Sequence, residues 1–226
     1  SGTVTVTAKA ITDYVLAEGA TSAWSQVFKA TPAPVVFADL PVGAQFFDEI
    51  SWLASQGIST GWTEADGSKS FRPVQAVNRD AMAAFMYRLA GSPEFSAPAV
   101  SPFADITPST QFYKEITWLA SQGISTGWVE ADGSKTFRPV QPVNRDAMAA
   151  FMYRFAGKPA FVDSQVFVDV PMGAQFHAEI SWLAGAGIST GWTAADGSRT
   201  FRPLVPVNRD AMAAFMYRYH QKYMNG

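Results

Sequence analysis

Three arginines, Arg79, Arg145 and Arg209, stand at the head of one recurring run, Asn-Arg-Asp-Ala-Met-Ala-Ala-Phe-Met-Tyr-Arg. A guanidinium at the first turn of a helix lies beside free backbone N–H groups and the positive end of the dipole. That combination favours a carboxylate or a phosphate. Ahead of each arginine a tryptophan, Trp62, Trp128 or Trp192, follows a Thr-Gly pair. A large ring in a loop is hard to bury completely, and its face suits the apolar C–H face of a sugar. An acidic sugar would satisfy both groups. A structural reading stands beside this one: Arg79 pairs with Asp80, Asp39 or Glu49, and the indoles merely cover helix ends.

Other chemistries fit less well. There is no cysteine, so thiol nucleophiles, thiolate metal sites and disulfides are excluded. The two histidines, His177 and His220, fall outside the recurring pattern, which speaks against a Ser-His nucleophile. Paired carboxylates such as Asp39 and Glu49 could serve a glycosidase. Their recurrence would then demand three active sites, and Asp39, followed by Leu40-Pro41, reads better as a cap or turn acceptor. Glu64-Ala65-Asp66-Gly67 lacks the alternating acids and final Glu of a calcium loop, and Ala194 replaces the Glu in the third copy. No enzyme activity, metal or cofactor is expected. Arg72 and Arg88 also recur; bridging to a neighbouring repeat or covering apolar surface suits them better than ligand contact.

The elements that must position these residues form a repeat. The stretch from Phe37 to Arg88 returns from Phe103 to Arg154 and again from Phe167 to Arg218. The Asp and the Arg stand forty positions apart in every copy (Asp39 to Arg79, Asp105 to Arg145, Asp169 to Arg209), so no insertion separates them. Phe46, Ile50, Leu53 and Ala54 mark one face of a helix over about 44–56, which Gly57 should stop. A second helix begins near Arg79. Asn78 is its N-cap, Asp80 suits its first turn, and Met82, Phe85, Met86 and Leu89 are its buried stripe. Asp66-Gly67-Ser68 makes a turn between the two helices. Trp52, Trp118 and Trp182 sit off the first helix's main stripe and are expected between repeats.

The organisation that follows is an N-terminal strand or linker segment over 1–34 and repeats over 35–91, 92–157 and 158–226. In the first segment Thr3 to Ala8 alternates like a strand, whereas 11–28, with Ile11 and Tyr14 among its apolar residues, reads as a linker with some helical turns. Thr31-Pro32-Ala33-Pro34 separates it from the first repeat. In the later linkers Pro93 to Phe95 and Pro159 to Phe161 should pin the chain to the body. Each repeat alone would bury too little surface, so the three are expected to fold together. The apolar content of 48% supports one shared core, and a net charge of −2 without a basic tract argues against nucleic acid. No apolar run is long enough for a membrane span. The chain opens Ser1-Gly2 without a methionine, as a segment of a longer protein would, and any targeting segment is expected to lie outside it.

The opening Phe-x-Asp, the Gly-Ile-x-x-Gly turn, the Phe-x-Pro and the polar-Arg-acid start of the second helix resemble the S-layer homology family. The likeness runs from Phe37 to about Tyr219, and the regular Asn-Arg-Asp variant is similar to repeats in surface proteins of actinobacteria such as bifidobacteria. The resemblance implies a mainly α fold, three helix–loop–helix repeats in a pseudo-threefold bundle with short extended segments. It implies non-catalytic anchoring of a larger secreted protein at the cell surface of a Gram-positive organism. Its partner would be an anionic, notably pyruvylated, wall polysaccharide or peptidoglycan-linked polymer held in grooves between repeats. The arginine of the family's Thr-Arg-Ala-Glu motif carries over to Arg79, Arg145 and Arg209. Its Glu does not, being Ala81, Ala147 and Ala211, and the family's early tryptophan of helix one is absent, with Gln45, Gln111 and Gln175 near that place. A structural or adhesive spacer that self-assembles, and a carbohydrate-binding module of an attached hydrolase, are the other readings. In a linear array the end repeats would each lack one neighbour, leaving the grooves unequal.

Overall fold

A computed structural model describes residues 2–10, 12, 15–21, 23–28 and 35–225. The chain divides into two compact units, 1–34 and 35–226. In the first, β1 (Gly2–Thr7) pairs antiparallel with β2 (Ala23–Phe28), with Val6 opposite Trp24 and Thr5 opposite Ser25. The alternation that begins at Thr3 is thus a strand, which ends at Thr7, one residue before Ala8. The linker reading of 11–28 is corrected at its end, where 23–28 is extended. Cross-strand pairing with β1 wins there over a sequence too irregular to show its period. The expectations for Ile11, Tyr14 and 31–34 lie outside the described residues.

The second unit is mainly helical. Its first repeat holds α1 (Phe47–Ser55), β3 (Trp62–Thr63), β4 (Lys69–Ser70) and α2 (Arg79–Leu89). The second holds α3 (Tyr113–Ser121), β5 (Trp128–Val129), β6 (Lys135–Thr136) and α4 (Arg145–Phe155). The third holds α5 (His177–Gly185), β7 (Trp192–Thr193), β8 (Arg199–Thr200) and the longer α6 (Arg209–Tyr223). Each strand pair is a short antiparallel hairpin across the Asp-Gly-Ser turn. At its bend the Ser68 N–H and hydroxyl donate to the Asp66 carboxylate.

Helix α1 buries Ile50, Leu53 and Ala54 and stops where Gly57 turns left-handed at φ +67°. Gly57 N–H then donates to Ala54 O and Ile58 N–H to Leu53 O, both at 3.0 Å, with Ile58 itself buried. This double closure satisfies carbonyls that the helix end leaves open. Gly91 and Ser92 end α2 the same way. Helix α1 starts later than its periodicity suggests, because Phe46 is left-handed at φ +58°.

Contacts between repeats run in a closed circle. Helix α2 packs on α3, α4 on α5, and α6 returns to α1. At the centre Val77 N–H donates to Val207 O, Val207 N–H to Val143 O, and Val143 N–H to Val77 O, all within 2.8–2.9 Å. The three valines are about 1% exposed, so these bonds are shielded from water. Circular closure means that no repeat is an end repeat, which corrects the expectation of unequal neighbours. Trp52 packs on Tyr217 and His220, Trp118 on Tyr87, and Trp182 on Tyr153, each bridging two repeats as expected. Met82, Met86, Met148, Met152, Met212 and Met216 are wholly buried. Phe95 and Phe161 pack on the core, and Tyr87 donates to Pro93 O, so the linkers are pinned.

Candidate functional site: the grooves between repeats

Closure brings each arginine to the next repeat. Arg79 Nε donates to Phe137 O at 2.7 Å and its Nη2 to Ser125 Oγ at 3.0 Å. Arg145 does the same to Phe201 O and Ser189, and Arg209 to Phe71 O and Ser59. All three arginines are only 4–5% exposed. None forms an ion pair among the described residues, so the pairings with Asp80, Asp39 or Glu49 do not occur. Burial pushes each guanidinium down to about 10, with the neighbouring Arg138, Arg202 or Arg72 adding to the shift and Asp105, Asp169 or Asp39 opposing it. Each remains a cation at neutral pH. The Nη1 group makes no hydrogen bond among the described residues and is left to the groove its side chain lines.

The helix N-termini themselves are not the anion site that the sequence suggested. Arg79 N–H donates to Gln141 O and Asp80 N–H to Pro139 O, each at 3.0 Å. Ala81 N–H goes to the Asp80 carboxylate. The other copies repeat this. A neighbour's loop carbonyls have taken the donors that an isolated helix would offer. Asn78 holds the N-cap place without a side-chain bond, because the loop does its work. The cation available to a ligand is therefore the side chain.

Each indole meets the arginine of the preceding repeat in the circle. Arg79 lies 4.2 Å from the Trp128 ring, Arg145 4.4 Å from Trp192 and Arg209 4.3 Å from Trp62. Arg138, Arg202 and Arg72 lie at similar distances over the same rings. Two guanidinium groups thus share each indole, an attraction worth about 0.5–2 kcal/mol apiece depending on exposure. The ring is held by cations rather than offered as a bare platform. Its remaining accessible part is partial for Trp62 and Trp128 and larger for Trp192.

Three grooves result, each drawing on all three repeats. The first, about 380 Å³, is lined by Arg209, Trp62, Asn78, Asp80, Arg88, Gln111 and Phe112. The second has two lobes of about 230 Å³ each, around Arg79, Trp128, Asn144, Asp146, Arg154, Gln175 and Phe176. The third, about 500 Å³, holds Arg145, Trp192, Asn208, Asp210, Arg218, Gln45 and Phe46. Each contains two arginines and one aspartate. Burial pushes Asp80, Asp146 and Asp210 up from the usual carboxylate range, against the opposing bond from the following N–H. The balance is positive.

Sequence reasoning missed Ser59, Ser125 and Ser189, although each recurs in the Gly-Ile-Ser-Thr-Gly-Trp run and is almost wholly buried. It also missed that Gln45, Gln111 and Gln175 are exposed on the grooves. Arg72 and Arg88 take structural places, pairing with Glu64 and donating to Ile58 O respectively. Asp39 is not a local turn acceptor. Its two oxygens receive the distant Phe71 and Arg72 N–H groups at 2.7 and 2.6 Å.

Residues 102–149 match the S-layer homology domain. That span carries Phe103, Asp105, Gly127, Trp128, Phe137 and Arg145 of the second repeat. None of the curated proteins matches the chain. An S-layer homology domain is a non-catalytic module of the cell surface that associates with wall polymer, so this part of the chain is a wall-associated surface module. Among the described residues no helix is long and apolar enough to cross a membrane. One grouping outside the grooves looks catalytic at first sight. Asp163 and Ser181 both approach His177 Nε2, at 3.2 and 3.3 Å, while Nδ1 faces Val170 O. Because Ser181 donates its proton to Ser164 O, the histidine does not activate it as a nucleophile. The group ties the 158–166 linker to α5.

The buried arginines have a structural duty that can be measured. Replacing Arg209 by Met should destabilise the fold by about 1–3 kcal/mol, the cost of leaving Phe71 O and Ser59 without their donor. Urea unfolding monitored by circular dichroism reads this, and unchanged stability would mean that these bonds do not hold the repeats.

Proposed function

We propose that 35–226 is a non-catalytic anchoring module of three S-layer homology repeats, over 35–91, 92–157 and 158–226, preceded by a separate segment over 1–34. It retains a larger secreted protein at a Gram-positive cell wall by binding an anionic wall polysaccharide, such as a pyruvylated glycan. Arg79, Arg145 and Arg209 contact the acidic groups. The accessible parts of Trp62, Trp128 and Trp192 lie along the sugar rings.

The observation that carries this reading is a cation in each groove that is buried, fixed by two bonds to the next repeat, and free of any carboxylate partner among the described residues. An arginine kept only for structure would gain from an internal counter-ion. A preformed guanidinium costs a ligand little ordering entropy. Three grooves on one body then allow a polymer that spans them to gain by avidity.

Co-sedimentation with wall sacculi, intact and after acid extraction of the secondary polymer, tests the proposal. Because the arginines also stabilise the fold, the informative variant is Gln45→Glu/Gln111→Glu/Gln175→Glu. These residues are exposed, make no bond between repeats, and would place a negative charge in every groove. Binding to intact sacculi should fall at least tenfold in this variant, weaken with salt, and vanish on extracted sacculi. Retention on extracted sacculi, or indifference to the added charges, would overturn the reading. Val74, Val140 and Leu204 recur as exposed apolar side chains and favour self-assembly as the second reading, in which binding would resist salt.

A further inference from the structure

Two repeats carry an internal carboxylate that the third has lost. In the first, Glu64 accepts from Arg72 Nη2 at 3.1 Å and from the Ser70 hydroxyl. In the second, Glu130 accepts from Arg138 Nη2 at 2.9 Å and from the Thr136 hydroxyl. The third repeat keeps both donors, Arg202 and Thr200, but Ala194 stands in the glutamate's place. The backbone has not rearranged to compensate. Ala194 N–H donates to Ser198 O at 2.8 Å, as Glu130 N–H does to Ser134 O. Arg202 lies 4.3 Å from the Trp192 ring, as Arg138 lies 4.4 Å from Trp128. Among the described residues Arg202 has no carboxylate and the Thr200 hydroxyl no partner.

The three copies therefore act as one another's comparison. Two show a carboxylate bound by a guanidinium and a hydroxyl beside an indole; the third presents the same donors with nothing between them. Of the three groove indoles Trp192 is also the most exposed, at 39%, and its groove, at about 500 Å³, is larger than the one at Trp62. Two cations, Arg145 and Arg202, lie over the Trp192 ring, and Arg202 lacks the carboxylate that offsets Arg72 and Arg138.

We propose that Arg202 and Thr200 form a carboxylate subsite for a carboxylated sugar, which takes the position that Glu64 and Glu130 fill in the other repeats. The sugar ring then extends over Trp192 towards Arg145. The subsite deepens the anchoring reading and rests on it for its biological partner. It makes Trp192 the first of the three indoles to take up ligand, because an incoming carboxylate at Trp62 or Trp128 meets a resident like charge. Both donors are partly exposed, so the contact is salt-sensitive and modest in strength.

Titration with digalacturonic acid, followed through the indole N–H signals in NMR spectra, tests this, with neutral galactobiose as control. The Trp192 signal should move at concentrations that leave Trp62 and Trp128 unchanged, and galactobiose should do far less. Ala194→Glu should weaken the response at least tenfold, and Glu64→Ala should bring Trp62 into the response. Each substitution gives a repeat the residue its sister already has at an exposed position, so folding should survive and circular dichroism confirms it. Equal response of the three indoles, or an Ala194→Glu variant that binds as before, would overturn the subsite. If the wild-type protein binds sacculi but no uronide, the subsite fails while anchoring stands. If it binds the uronide but not sacculi, anchoring fails and the subsite stands.

Discussion

Gly127→Ala should destabilise the helical unit by about 3–5 kcal/mol, combining a left-handed backbone cost of about 1–2 with overpacking of about 1–3. Gly127 has φ +70°, and an added Cβ would press on Thr136 O and lie 2.6 Å from Phe103 Cε1. The first obstacle is backbone within the β5–β6 hairpin. The second is a ring 3% exposed and packed at a tilt against Phe137, with the ring centres 5.4 Å apart. Neither can move without opening the core. Gly123→Ala separates the two terms, because Gly123 also has a positive φ, +65°, yet an added Cβ there meets nothing within 4 Å. It should cost only about 1–2 kcal/mol. Urea unfolding of both variants reads the difference. Equal losses would show that the close approach at Gly127 is unimportant.

Asp105→Ala should cost about 3–5 kcal/mol, since a hydrogen bond to a charged group contributes about 1.5–3 and this carboxylate receives two. Oδ1 takes the Phe137 N–H at 2.7 Å and Oδ2 the Arg138 N–H at 2.6 Å. The second bond holds Arg138 at φ +57°, a conformation that a branched-chain or long residue rarely adopts unaided. Asp105→Asn keeps one acceptor and should lose about half as much. The effect reaches the groove, because the Phe137 carbonyl next in line is the one that fixes Arg79 Nε. Faster hydrogen exchange at the Phe137 and Arg138 amides, together with a shift of the Trp128 indole signal, would register that coupling. An Asp105→Ala variant with unchanged exchange at both amides would contradict it.

These two residues show what could be read in advance and what could not. Gly127 and Asp105 both belong to runs that recur three times, so their importance was visible in the sequence. Their duties were not. Asp39, the counterpart of Asp105 in the first repeat, reads as a local turn acceptor because only its chain neighbours are known from sequence. The true donors, to Asp39 and Asp105 alike, are 32 and 33 positions away. The helices could be placed because an apolar stripe and a terminal glycine are local signals. β2 escaped because a strand of this kind is defined by its partner across the hairpin.

The arginines mark the same boundary. Their presence at three helix starts, and their value to an anion, followed from residue type and helix physics. The sequence also determined the repeat, the mainly helical class and the absence of thiol chemistry, because each is a matter of composition or of contacts close along the chain. Tertiary structure alone decided that the circle closes through Val77, Val143 and Val207. It decided too that Arg209 reaches back across 138 residues to Phe71, and that neighbouring loops consume the helix N–H donors. Such pairings depend on distances between repeats, and local pattern carries no record of those. That is why these helix starts offer no free backbone donors, and why it is the guanidinium that lines each groove.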